Sequence, residues 1–290
     1  MNSDAFSECH PAVGFLFFLL VIALTSFVNH PLVGLISLIC GVFYTLISAP
    51  GKQRKMLVGI LPLMLLTALI NPLFSHEGAT ILTYFPNGNP LTLESIICGL
   101  SSALTLCAVI CWFGAFSRVM TSDKFVWLFG RIIPVLSLLL SMTLRFVPRF
   151  ITRIRAASDA QKLTGEEKSL PGRFNAAVSV MAGSIMWAMD SSLSTADSMK
   201  SRGWGLPGRT AYSDYRLDSR DISMLVWLGF AGFFVVSGQL AGGLYWRFYP
   251  TVRYVTAEPF TIGFMAVFAA LSLTPSLFDI LEERKWKSLK

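Results

Sequence analysis

Arg145, Arg149 and Arg153 recur at i, i+4 and i+8, a spacing that lines three guanidinium groups along one face of a helix. Groups of that kind recognise carboxylates and phosphates, and nothing beside them supplies a nucleophile or a base. Two further stretches share a pattern. Asp159-Ala160-Gln161-Lys162-Leu163-Thr164-Gly165 is followed by Pro171, and Asp197-Ser198-Met199-Lys200-Ser201-Arg202-Gly203 by Pro207. In each, an acid precedes a base, glycine ends the run and proline lies beyond. A cation in the last helical turn complements the dipole, and glycine takes the left-handed C′ position, so either stretch alone reads as an ordinary helix end. Its occurrence on two successive helices singles the pair out.

The remaining candidates for chemistry are weaker. Asp190 and Asp197 are seven residues apart and share a helix face. An intramembrane aspartyl site needs carboxylates facing each other across a water-lined cavity, usually from two helices. With Ser191, Ser192 and Ser194 alongside, the two acids read as solvated polar positions. His10, His30 and His76 form no H-E-x-x-H and fall near expected loops. The only Gly-Lys pair, Gly51-Lys52, has Leu46 where a P-loop requires its first glycine. Cys9, Cys40, Cys98, Cys107 and Cys111 make no C-x-x-C pair, which argues against a zinc site or a disulfide framework. The expectation is a chain without catalytic, metal or cofactor residues of its own.

The elements that carry these residues follow from hydropathy and charge. The 290 residues are 53% hydrophobic and only 14% charged, well below the charged fraction of a soluble domain. Met1 to His10 lacks the basic start of a cleaved secretory signal. Six segments are long enough to cross a bilayer: 12–28, 32–49, 57–73, 94–117, 223–244 and 260–278. The first two are joined by Asn29-His30-Pro31 and should form a tight helical hairpin. Of the 24 Lys and Arg, all but Arg247 and Arg253 then fall on the side of the two termini. The positive-inside bias makes that side cytoplasmic. Net charge +7 is explained by this bias, without nucleic acid as a partner.

Two more apolar runs, 132–144 and 175–189, hold about a dozen uncharged residues each, short for spans. Were they a transmembrane pair, their basic link would lie on the wrong side. They are expected as long cytoplasmic helices, over about 137–162 with a kink at Pro148 and over about 174–201, packed on each other. Leu139, Met142, Phe146, Phe150 and Ile154 flank the arginine column, and Met181, Ile185 and Met189 share a face with Trp187 nearby. The fold class expected is an all-α integral membrane protein of about six transmembrane helices. It divides into four N-terminal spans (1–117), cytoplasmic helices (118–222), and two C-terminal spans with a basic tail (223–290).

Asp197 to Gly205 (DSMKSRGWG) resembles the second signature of the transmembrane T component of energy-coupling factor (ECF) transporters, whose signatures end in small-Arg-Gly. Asp159 to Gly165 sits where the first signature belongs. The stretches 71–78 (NPLFSHEG) and 138–150 (LLLSMTLRFVPRF) are also similar to the family, so the likeness covers most of the chain. One position departs: the first signature carries arginine before its glycine, and here Thr164 stands there. Either Lys162 substitutes in part, or the second signature carries more of the contact; lysine lacks the guanidinium fork.

The resemblance implies a non-catalytic subunit that joins two ABC-type ATPases to a small substrate-binding membrane subunit, the S component, for uptake of a vitamin or metal ion. ATP would act on the partner subunits. Ser201, Arg202 and Gly203 would enter one ATPase groove, and Lys162 and Gly165 the other. The apolar face of the cytoplasmic helices would hold the S component. Arg145, Arg149 and Arg153 would meet either a docking partner or lipid headgroups. The location implied is a prokaryotic cell membrane, with both termini cytoplasmic. Competing readings are a conventional ABC permease subunit, which would need its own substrate path, and a membrane-embedded enzyme built on Asp190 and Asp197.

Overall fold

The computed structural model describes residues 5–48, 51–84, 89–130, 133–163, 170–207, 215–254 and 259–288. The chain forms two compact units, one from Met1–Thr121 with Tyr215–Lys290, the other from Ser122–Asp214. The second is inserted in the sequence of the first.

The first unit is built from α1 (Ala5–Glu8), α2 (Pro11–Phe27), α3 (Pro31–Ser48), α4 (Gly51–Phe74), α5 (Leu93–Val119), α9 (Ser219–Leu240) and α10 (Pro259–Ser288). Two antiparallel ribbons join them: β1 (Ile81–Tyr84) with β2 (Pro90–Thr92), and β3 (Trp246–Arg247) with β4 (Arg253–Tyr254). The expected spans coincide with α2, α3, α4, α5, α9 and α10, and the expected hairpin between the first two is present. The ribbons lie in segments that hydropathy marks only as links.

α2, α3, α5 and α9 begin where a side chain satisfies free amides. His10 Nδ1 accepts from Ala12 N at 3.2 Å, with Pro11 at the first helical position. His30 Nδ1 accepts from Leu32 N, also at 3.2 Å. Thr92 caps α5 through Ser95 N, and Asp218 with Asp221 forms a reciprocal capping box on α9.

Small residues set the packing of α3 on α5, as is common where lipid removes the hydrophobic drive between helices. Gly34, Ser37, Gly41 and Thr45 form one buried ridge of α3. A Cβ at Gly41 would come within 3.4 Å of the Trp112 indole. Trp112 is the hub of the unit. It is fully buried, donates from Nε1 to Ser37 Oγ at 3.0 Å, stacks on Tyr44 and meets Phe17 edge-on. Ser37 shares a hydrogen bond of 2.8 Å with Thr25, so Trp112, Ser37 and Thr25 are linked in a chain.

The second unit contains α6 (Ser122–Gly130), α7 (Pro134–Leu163) and α8 (Leu170–Ser201). α7 and α8 pack antiparallel, with Phe146 stacked on Trp187 at 5.8 Å between centroids. This matches the expected long paired helices, with Pro148 inside α7. They have 30 and 32 residues and begin three to four residues ahead of the expected 137 and 174.

Among the described residues, seven helices are long and apolar enough to cross a membrane, within Pro31–Ser48, Leu57–Phe74, Leu93–Val119, Val135–Leu163, Gly172–Ser201, Ser219–Leu240 and Pro259–Glu282; Pro11–Phe27 is a shorter apolar helix. The chain is an all-α, multi-pass integral membrane protein. The expected shortness of 132–144 and 175–189 is corrected, since length no longer separates α7 and α8 from spans.

Candidate functional site

The C-terminal end of α8 holds the sequence's most specific stretch. Gly203 has φ +75°, Gly203 N donates to Lys200 O and Trp204 N donates to Met199 O, both at 3.0 Å. These two bonds are the Schellman closure, with Gly203 at C′. A side chain at Gly203 would be strained by its backbone, and its Cβ would lie 3.1 Å from Leu206 Cδ1. Gly205 also has positive φ, +92°. The chain therefore turns sharply twice after the helix, and Ser201 and Arg202 are left exposed at its tip. Ser201 Oγ donates to Ser198 O at 2.9 Å, so its side chain is ordered by its own helix. Arg202 makes no ion pair with another described residue. The end presents one guanidinium fork and a fixed backbone turn, a combination that recognises carboxylate or carbonyl oxygens.

The other expected contact is only partly described. Lys162 lies in the last turn of α7 and forms an exposed pair with Asp159 at 2.8 Å, an i,i+3 pair of the kind that adds little stability. Thr164 and Gly165 lie outside the described residues.

Arg145, Arg149 and Arg153 are all exposed on α7, in the expected column, and none is ion-paired with a described residue. Phe146 and Phe150 beside them stack at 5.7 Å. Arg153 reaches a groove of about 320 Å³ between α7 and α8, shared with Ala157, Ala160, Ser179, Gly183 and Ser184. On α8, Met181, Ile185 and Met189 are more than half exposed. Asp190 and Asp197 are exposed on the same helix.

The first unit contains a polar knot that sequence reasoning did not foresee. Asp279 accepts from Phe6 N at 3.0 Å and from Ser48 Oγ at 2.9 Å. The Ser48 carbonyl in turn accepts from the Arg118 guanidinium, which also lies 5.9 Å over the Tyr44 ring. Nearby in role, Asp221 accepts from His10 N at 3.3 Å, and Arg220 pairs with Glu282 at 3.4 Å. The knot gathers α1, the end of α3, the end of α5 and the end of α10. At the opposite helix ends, Ser75 bonds Tyr249, Ala79 N donates to Pro250 O, and Glu94 accepts from Thr80.

The expected spans hold no charge within their own bounds except Glu94 at an edge, but the helices extend beyond those bounds. The helices run past the apolar segments and take in Arg118, Arg220, Asp221, Asp279 and Glu282, all near helix ends. The available signal was a lone acid directly after the last apolar run. No protein-family model matches this chain, and no curated protein matches it.

Proposed function

We propose that this chain is the transmembrane coupling subunit of an ECF transporter. In this reading it links two ABC-type ATPases to a small S component that carries the vitamin or metal ion. The observation that carries the reading is the α8 end: a rigid, glycine-closed turn that leaves Arg202 and Ser201 exposed and uncommitted to any described acid. Arg202 would enter an acidic or carbonyl-lined groove of one ATPase. Gly203 would let the backbone approach closely. Lys162 and Gly165 would serve the second ATPase. The exposed methionine face of α8 suits a partner that must be gripped and released, because methionine repacks at low cost. Both termini would be cytoplasmic in a prokaryotic cell membrane, with ATP bound only by the partners.

The test is Arg202→Glu, read by co-purification of ATPases with the tagged chain and by uptake in cells. Charge reversal at a docking tip should detach one ATPase and abolish uptake, whereas Lys162→Glu does less. Intact assembly and intact uptake with Arg202→Glu refute the coupling role. A second reading, a conventional ABC permease subunit, draws on the lengths of α7 and α8, which would add two spans to the six.

A further inference from the structure

We propose that the groove between α7 and α8 is a binding site for one anionic phospholipid. Its phosphate is held by Arg149 and Arg153, and its acyl chains lie along the apolar half of α7. The inference concerns only this helix pair and does not depend on the docking of ATPases.

The charges come first. Arg145, Arg149 and Arg153 stand at i, i+4 spacing, where like charges disfavour a helix. Among the described residues, no acid pairs with them. The residues three and four positions away are Ser141, Met142, Phe146, Pro148, Phe150, Thr152, Ala156 and Ala157, apart from the arginines themselves. The nearest acid on the helix, Asp159, is engaged by Lys162 at 2.8 Å. The opposite wall of the groove is Ser179, Val180, Gly183 and Ser184, which carries no charge. The described residues of α7 and α8 thus leave the column open to an external anion.

The shape says which anion. The groove, about 320 Å³, is polar at Arg153 and Ser179 and kept open by alanine, serine and glycine. The Arg153 guanidinium fork in its lining suits the paired oxygens of a phosphate, and Arg149 stands one turn away on the same face. Along α7 toward its N-terminus the same face continues as Met142, Leu139 and Val135, all exposed, Val135 to 76%. A soluble anion would use the groove and leave that apolar continuation unexplained. A phospholipid uses both, headgroup in the groove and tails on the apolar face.

The probe is the full chain in nanodiscs of equal phosphatidylglycerol and phosphatidylcholine, released into native mass spectrometry to count retained lipids. Wild type should retain phosphatidylglycerol preferentially. Arg149→Gln with Arg153→Gln should lower that preference on the order of 30-fold, from the usual attraction per surface cation. Gly183→Leu is the second variant. A Cβ there meets nothing within 4 Å, so the helix tolerates it while the side chain fills the groove. It should also lose the retained phosphatidylglycerol, with helix content unchanged. Wild-type lipid preference in either variant overturns the proposal. Loss of a co-purifying protein with the lipid count unchanged assigns the column to an acidic protein surface and overturns it equally.

Discussion

Replacing Asp279 tests whether the polar knot of the first unit holds its helix ends together. Its two oxygens accept from Phe6 N and Ser48 Oγ, at 3.0 and 2.9 Å. Hydrogen bonds to a charged acceptor contribute roughly 1.5–3 kcal/mol each, so losing both in Asp279→Ala should cost about 3–6 kcal/mol. It also removes the acid bonded to Ser48, whose carbonyl the Arg118 guanidinium uses. Asp279→Asn retains one acceptor oxygen and should cost about half as much. The assay is thermal unfolding in mild detergent, followed by tryptophan fluorescence, since Trp112 reports the core. A loss of this size corresponds to a fall on the order of 10 °C for a unit of this length. Ser48→Ala combined with Asp279→Ala should be less than additive, because both remove the Ser48–Asp279 bond. An Asp279→Ala midpoint within 1–2 °C of wild type (roughly 0.5 kcal/mol on the same scale), or strict additivity of the pair, would show that the knot is not a tie.

Two further outcomes follow from the helix ends. Gly203→Ala must place an L side chain at φ +75°, which costs roughly 1–2 kcal/mol, and amide exchange at 199–204 should quicken, whereas Arg202→Ala should leave exchange there unchanged. Burial holds the His10 and His30 rings below their ordinary value of 6.5, the nearby Asp221 opposing this at His10. Both rings accept a backbone N–H at Nδ1, and a protonated ring cannot. With the folded value below the unfolded one, their stabilisation is full above the unfolded value and is lost as pH falls through the folded one. Unfolding midpoints at pH 7.5 and pH 5.5, chosen as about a unit either side of the unfolded value, should therefore differ in favour of the higher pH, and His10→Asn, which can still cap, should shrink the difference.

The six apolar segments were legible because a bilayer imposes one length and one composition on each. The α8 end was legible too, since glycine after a cation is a local signal and Gly203 indeed takes the left-handed conformation. The ribbons were not: strands of two to four residues leave no hydropathy window. The reach of α5 to Val119 and of α10 to Ser288 was missed because the polar residues that extend them are stabilised by distant partners. Phe6 and Asp279 are 273 residues apart, and Ser48 and Asp279 are 231 apart. No local spacing encodes such a pairing, and only a lone acid in an otherwise apolar neighbourhood hinted that one was needed.

Length admits α7 and α8 as spans, but their pairing argues against it. The stack of Phe146 on Trp187, with Arg153 and Ala157 beside Ser179 and Gly183, fixes the antiparallel register. In that register the apolar half of α7, residues 133–147, lies beside the end of α8 that carries Asp190, Asp197, Lys200 and Arg202. The apolar half of α8, residues 174–189, lies beside Arg149, Arg153, Arg155 and Asp159. The two apolar centres are thus offset by about ten residues, or roughly 15 Å along the helices. A hydrocarbon layer of about 30 Å centred on one would end at the middle of the other. Charged residues within that layer each cost about 2.5–3.5 kcal/mol on insertion, so a crossing pair would bear several such penalties at once. An interfacial placement bears none of them, because each apolar half can face the bilayer while the cations meet headgroups. The offset therefore favours the surface-coupling reading over the permease with two additional spans.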